Sequence, residues 1–225
     1  MALLGTAFNA IWHDFEADWE AEYEQWHTIE HMPERLSIPG FLFGRRYVNR
    51  SLPLYRWLTL YQTEDVSVFT SEAYLERLNN PTEWSLKIHP HFLNFLRCAS
   101  EVSQSVGVGY AQFMSTTRIA TDNQQAMDAE LAKHIEALSS REGISGVHIG
   151  LARPEATNVE TAETKLRGVE LPWVYDVLIL IEGISEEAVG AATDEASAVV
   201  TASGLGRVED ALVFELAYAL DAQWK

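Results

Sequence analysis

The chain has 225 residues, 47% of them hydrophobic, enough for a full core in one large domain or two small ones. With 16 Lys and Arg against 33 Asp and Glu, the formal charge is −17; such a surface repels phosphate backbones and anionic lipid, so neither nucleic acid nor a membrane is an expected partner. Cys98 is the single cysteine, no run reaches the roughly 18 apolar residues of a spanning helix, and the first twelve residues lack the basic segment and cleavage site of a signal peptide, so a cytoplasmic protein without an intrachain disulfide is expected.

Taken in order, Leu3 to Trp12 is apolar, punctuated by Gly5 and Asn9, and predicts a first strand. Asp14 is the expected N-cap of a helix from about Phe15 to Met32. At roughly 100° per residue, Phe15, Trp19, Tyr23 and Trp26 form one apolar stripe. Glu30 falls inside that stripe, and His27 and His31 lie side by side at its edge. Pro33 is expected to end or kink the helix, and Pro39-Gly40 to close the connection. Phe41 to Asn49 and Leu54 to Thr63 predict an antiparallel hairpin, with Trp57, Thr59 and Tyr61 on one face of its second strand. Helices from Ser67 to Leu78 and from Thr82 to Cys98, the second kinked at His89-Pro90-His91, lead to a strand from Glu101 to Gly109.

The second half repeats this order: a strand from Tyr110 to Ala120, a helix from Asp122 to Ser140, and strands from Gly146 to Arg153 and Trp173 to Gly183. Between those two strands lies a polar insertion, Pro154 to Pro172. A helix from Ser185 to Ser203, stopped by Gly204, and a strand from Val208 to Leu220 complete it. Two successive β-α-β-β-α-β units are the ferredoxin-like plan twice over, an α+β fold with repeats at residues 1–109 and 110–225. Each unit has one sheet face to cover, and packing the two sheets against each other as an α/β barrel covers both. Outer strands of such sheets often pair, so self-association into a homo-oligomer is expected.

No other stretch is as dense in groups that move protons, bind metal or hold an anion as Trp26 to Gly40. Glu30 inside an apolar stripe reads either as a helix-end carboxylate paired with Arg45 or Arg46, or as a partly buried general acid or base. His27 and His31 read as a proton-transfer pair, a solvated pair, or metal ligands. In the metal reading His27-Thr28-Ile29-Glu30-His31 has the H-x-x-E-H form of a zinc site, with His89, His91 or Glu34 as third ligand. Arg46, on the strand face that Gly44 leaves open, is a candidate anion anchor with Tyr47 beside it. Tyr23, Trp26 and Tyr61 belong to an aromatic set that reads as core, or as walls of a roomy pocket for a flat substrate. Gly107-Val108-Gly109 lacks the rest of any dinucleotide fingerprint.

The succession Trp26, His31, Pro33 and Pro39-Gly40-Phe41 resembles the dimeric α/β-barrel superfamily, its EthD-like members in particular: an aromatic residue, a His two before a Pro, then Pro-Gly leading into the second strand. The resemblance implies two facing ferredoxin-like sheets, a pocket between sheet and helices, small-molecule chemistry, and His31 as the family's histidine. Relatives of this kind include cyclases, monooxygenases, isomerases, dehydratases and decarboxylases that need no organic cofactor, along with haem binders. The second repeat has His134 but neither His-x-Pro nor Pro-Gly after it, and is expected to be scaffold. The expectation is therefore a small-molecule enzyme without an organic cofactor, acting on an aromatic or carbonyl-containing substrate in lyase-, isomerase- or cyclase-type proton transfer. His31 and His27 serve as acid and base, Glu30 assists, and Arg46 and Tyr47 hold an oxygen anion. The alternatives are a divalent-metal enzyme using the same His pair and a non-catalytic ligand-binding protein.

Overall fold

The structure, a computed structural model, describes residues 3–167 and 173–223. Strand β1 spans Ala7–Phe15, three residues beyond the expected end. The cause is Asp14, whose carboxylate accepts the backbone N–H groups of Tyr55 (3.0 Å) and Arg56 (2.9 Å) and the amide of Asn94 (2.9 Å). That carboxylate ties the strand end down instead of capping a helix. A 3₁₀ turn, Ala17–Trp19, precedes α1 (Glu20–Trp26), a π-helical segment (His27–His31) and α2 (Met32–Leu36). Strands β2 (Phe41–Val48) and β3 (Trp57–Thr63) form the expected antiparallel hairpin. A 3₁₀ turn and α3 (Glu72–Asn79) follow, then α4 (Glu83–Ile88).

His89-Pro90-His91 is a terminating 3₁₀ turn and not a kink. The helix expected to reach Cys98 gives way to the 16-residue strand β4 (Phe92–Gly107), and Asn94 at φ 52° has left the right-handed helical region. Strand β5 is Phe113–Ala120. The next helix is split into α5 (Gln124–Leu131) and α6 (Ile135–Ser139) where Lys133 and His134 switch to i→i+3 bonds on Glu130 and Leu131. Strand β6 (Ile144–Ala152) leads into the insertion, which holds a 3₁₀ turn and the short helix α7 (Ala162–Arg167). Strand β7 (Val177–Gly183) is buried throughout. Helix α8 (Glu186–Ser203) is capped as expected, Ser185 accepting from Ala188 N–H (3.2 Å) and Gly204 standing at φ 66°. Strand β8 is Arg207–Asp221.

Among the described residues these eight strands hydrogen-bond in the cyclic order β1-β3-β2-β8-β5-β7-β6-β4, a closed barrel. The element order is the α+β plan of two tandem ferredoxin-like repeats. Cyclic order leaves no outer strand, so the edge-to-edge pairing expected of a second copy has no edge to use.

The chain forms two compact units that do not follow its halves. One consists of the described residues of 1–4, 100–152 and 174–216. Its core joins β5, β6 and β7 to α5, α6 and α8 through Met127, Ile149, Ile179 and Ala196. The other consists of the described residues of 5–99, 153–173 and 217–225, and takes α7 from the second half of the sequence. It has one cluster around Met32, Phe41, Tyr61 and Phe69, and an aromatic one of Phe15, Tyr23, Trp26, Trp57 and Ile88 with Trp19, Trp84 and Phe92 against it. Fully burying each such side chain is worth about 1.5–3 kcal/mol. Most of the aromatic set is therefore core, not the walls of a roomy pocket.

Candidate active site

The π-helical segment makes the site. Met32 N–H bonds His27 O, five residues back, which widens the turn just before Pro33. In a regular α-helix Pro33 would leave the Ile29 carbonyl unbonded and press its ring against it; here the widened turn comes immediately before Pro33, and the helix runs on to Leu36. The expected stop at Pro33 is thus a π insertion, a feature that recurs at functional sites. It turns Ile29 to solvent and His27 and His31 inward, their ring centroids 5.5 Å apart.

The register of β1 on β3 sets Ile11 against Thr59 and His13 against Trp57, so Ile11, His13, Thr59 and Tyr61 share the sheet face beneath this helix. Between sheet and helix lies a cavity of about 40 Å³, room for roughly three water molecules. His13, Tyr23, His27, His31, Thr59 and Tyr61 line it from these elements. Arg35 enters from α2, His89 from the 3₁₀ turn, Arg97 from β4, and Glu163 and Arg167 from α7.

Every imidazole here is neutral at pH 7. His27 is held well below the usual histidine range by burial and then by the Arg46 guanidinium; His31 by burial and then by Arg35. Burial brings His13 and His89 down to about 3. His13 donates from Nδ1 to Asp14 O (3.3 Å), which leaves Nε2 to accept the Tyr23 hydroxyl (2.9 Å). The Thr59 and Tyr61 hydroxyls stand 3.5 Å from His27 Nε2. Burial raises the Tyr61 phenol, which stays protonated. The Nδ1 atoms of His27 and His31 are sealed from solvent and make no hydrogen bond. The His31 ring rests on Trp26, with 4.2 Å between centroids.

Of the residues expected from sequence, His27, His31, Tyr23 and Tyr61 meet at the cavity, and Trp26 backs His31 without lining it. Glu30 lies outside. Its carboxylate accepts from Trp26 Nε1 (3.2 Å) and from the Thr82 hydroxyl (2.6 Å), clasping the π segment to the N-cap of α4. Arg46 shares the cavity's sheet face, opposite Thr59, but reaches away: its Nη1 donates to Glu24 O (3.1 Å), and the guanidinium lies over Tyr23 and Tyr218. The space beside Gly44 is taken by Met32, whose Sδ lies 3.0 Å from where a Cβ would stand. Tyr47 pairs with Leu58 on the opposite face and cannot join Arg46 at one ligand.

No three His, Cys, Asp or Glu groups among the described residues converge as a metal site. Of the expected third ligands, His91 bonds Glu16 (2.8 Å), Glu34 pairs with Arg35 (3.1 Å) and Arg77 (3.4 Å), and His89 engages Arg167 and Glu163. Sequence reasoning missed His13, Arg35, Arg97, Glu163 and Arg167 as site residues. The Glu163–Arg167 spacing of four, inside a polar insertion, was the one local sign of a helical charge pair.

No protein-family model and no curated protein sequence matches this chain. Solved structures do. An anthrone oxidase-like protein matches with a TM-score of 0.62 and 12% identity, over 96% of this chain and 93% of its own. A protein described as a monooxygenase, from Fusobacterium nucleatum, matches with a TM-score of 0.56 and 10% identity over 97% and 96%. A heme-binding protein from Thermus thermophilus matches with a TM-score of 0.56 and 11% identity over 97% and 92%. At these identities the likeness is one of fold. No helix among the described residues is long and apolar enough to cross a membrane.

Proposed function

We propose that this chain is a small-molecule enzyme whose neutral His31 and His27 take a proton from, and return it to, a carbon or oxygen acid held in the cavity. The observation that carries this reading is the pair of sealed imidazoles, 5.5 Å apart, each with an Nδ1 atom that no protein group satisfies. A buried polar atom without a partner is costly, and a ligand proton or oxygen would repay it. His31, which also matches the EthD-like pattern, is the base, and His27 with the Tyr61 hydroxyl exchanges the second proton. The anion that forms faces Arg35 and Arg167, where low dielectric strengthens the attraction. Glu30 is a positioning residue: through Trp26 it holds the wall on which the His31 ring rests.

Loss of a proton to give an electron-rich anion begins elimination, isomerisation and cyclisation. It also prepares such an anion for oxygenation, which suits the neighbours' names of oxidase and monooxygenase. A haem, named for the Thermus neighbour, does not fit these residues, because a cavity of about 40 Å³ is far too small for the macrocycle. The test is solvent deuterium incorporation into a panel of small carbonyl compounds and hydroxyaromatics, followed by proton NMR. His31→Ala and His27→Ala should each slow exchange at least about 100-fold, the lower range for a positioned acid or base. Full exchange in both variants overturns the reading.

A further inference from the structure

The two ring nitrogens of His27 are not equivalent, and the groups around them decide which one carries the proton. His13 in β1, Tyr23 in α1, His27 in the π segment and Thr59 in β3 are all buried, and at 2% exposure Thr59 has no solvent to turn to. Each hydroxyl here has one proton to give, and its direction is set by what its neighbour can accept. The order starts at a backbone oxygen, which only accepts. His13 Nδ1 donates to Asp14 O (3.3 Å), the neutral ring then has a lone pair at Nε2, and Tyr23 spends its proton there (2.9 Å). The Tyr23 oxygen is left as an acceptor, and the Thr59 hydroxyl donates to it. Thr59 therefore offers His27 a lone pair and not a proton.

Two observations at His27 itself agree. Its Nε2 has two hydroxyl oxygens at 3.5 Å, those of Thr59 and Tyr61. One N–H can be shared between two acceptors, whereas the single lone pair of a neutral imidazole nitrogen serves one donor well. Its Nδ1 is sealed and makes no hydrogen bond, and buried N–H groups without a partner are rarer in proteins than under-used acceptors. Both place the proton on Nε2.

We propose that Thr59 is a positioning residue which, at the end of a one-way hydrogen-bond chain from Asp14 O through His13 and Tyr23, locks His27 in its Nε2–H tautomer and leaves Nδ1 as the bare, basic nitrogen. The inference rests on the reading of His27 as a proton-transfer group, and it names the atom: Nδ1 receives the proton and Nε2 keeps its own. The Tyr61 proton, which His27 does not use, stays available to the ligand.

The experiment is long-range proton–nitrogen correlation NMR on the whole chain carrying isotope-labelled histidine, without ligand. The His27 ring is assigned by its absence from the spectrum of His27→Gln. The wild type should show a protonated Nε2 and a bare Nδ1. Thr59→Val keeps the branched shape and removes the acceptor. It should move the proton in part to Nδ1, and slow deuterium exchange at least about tenfold, a share of the roughly 10²- to 10⁴-fold that a positioned acid or base supplies. Thr59→Ser should restore both tautomer and rate, which a loss of packing alone would not allow. Tyr23→Phe frees the Thr59 proton for His27 and should shift the tautomer the same way, so the test survives poor folding of the valine variant. A bare Nε2 in the wild type, or a tautomer unmoved in both Thr59→Val and Tyr23→Phe, overturns the proposal. The tautomer is read without turnover, so its failure leaves the deuterium-exchange result standing, and a chain that exchanges nothing still displays its tautomer.

Discussion

Mild acid should unfold this protein from within the cavity. His13 and His89 have pKa values of about 3 in the folded chain, against about 6.5 once unfolded. The folded value is the lower one, so below pH 6.5 the unfolded chain binds more protons. The stability these neutral imidazoles contribute is complete above pH 6.5 and is lost progressively as pH falls toward 3. Each histidine loses about 1.36 kcal/mol per pH unit. At pH 5 the two together lose about 4 kcal/mol, and His27 and His31, also held well below the usual range, add to the loss. A folded domain has only about 5–15 kcal/mol to lose. Glu163 is lowered as well, because the attraction of Arg35 and the other cations outweighs burial, but its loss begins only as pH falls through the ordinary carboxylate range and cannot mimic a transition near pH 6. Guanidinium titrations at intervals from pH 7.5 to 5 should give an unfolding free energy whose slope reports two to four protons. His89→Gln, which can still accept from Arg167, should lower that slope by about one proton. A stability that stays level from pH 7 to 5 would refute the burial of neutral imidazoles at this site.

Two further perturbations address the motif itself. Gly40 stands at φ 90°, and a Cβ there would lie 2.5 Å from Val68 Cγ2, so Gly40→Ala should cost about 1–3 kcal/mol of stability in denaturant titration; an unchanged midpoint would show that the Pro-Gly turn is not the constraint argued here. Glu30→Ala should slow deuterium exchange severalfold, while Glu30→Gln restores it, because an amide oxygen can still accept from Trp26 and Thr82; failure of the glutamine to rescue would mean that the charge itself takes part in the chemistry.

The order of strands and helices was legible because apolar periodicity reports it directly, as in the alternation of Trp57, Thr59 and Tyr61 or the unbroken run of β7. The caps of α8 were readable for the same local reason, since Ser185 and Gly204 satisfy their own helix ends. Asp14 misled because its partners, Tyr55, Arg56 and Asn94, are distant in sequence, and a carboxylate before a helical stripe looks the same whether it caps or bridges. The histidines of the π segment could be picked out by density and spacing, but the widened turn that aims them could not, because a proline in a helical pattern signals a stop or a kink as readily as an inserted residue. Arg46 and Tyr47 were adjacent to the motif and therefore attractive, yet the strand's alternation forbids them a shared ligand, and Met32 fills the gap that Gly44 had seemed to offer. Glu163 and Arg167 lay in a stretch without hydrophobic pattern, and nothing local tells a solvated charge from one recruited to a distant arginine.

That recruitment spans 128 residues between Arg35 and Glu163, and it bears on how the protein comes into being. A nascent chain that has reached only Gly109 has made the helix, the hairpin and every histidine of the cavity, but Arg35 then has Glu34 alone to answer its charge, and neither Arg167 nor the residues of β8 that join this unit yet exist. Burying a guanidinium short of its carboxylate costs several kcal/mol, so the first repeat has reason to stay open on the ribosome. The histidines should seal only after α7 has been synthesised, which makes completion of the second repeat the step that commits the first.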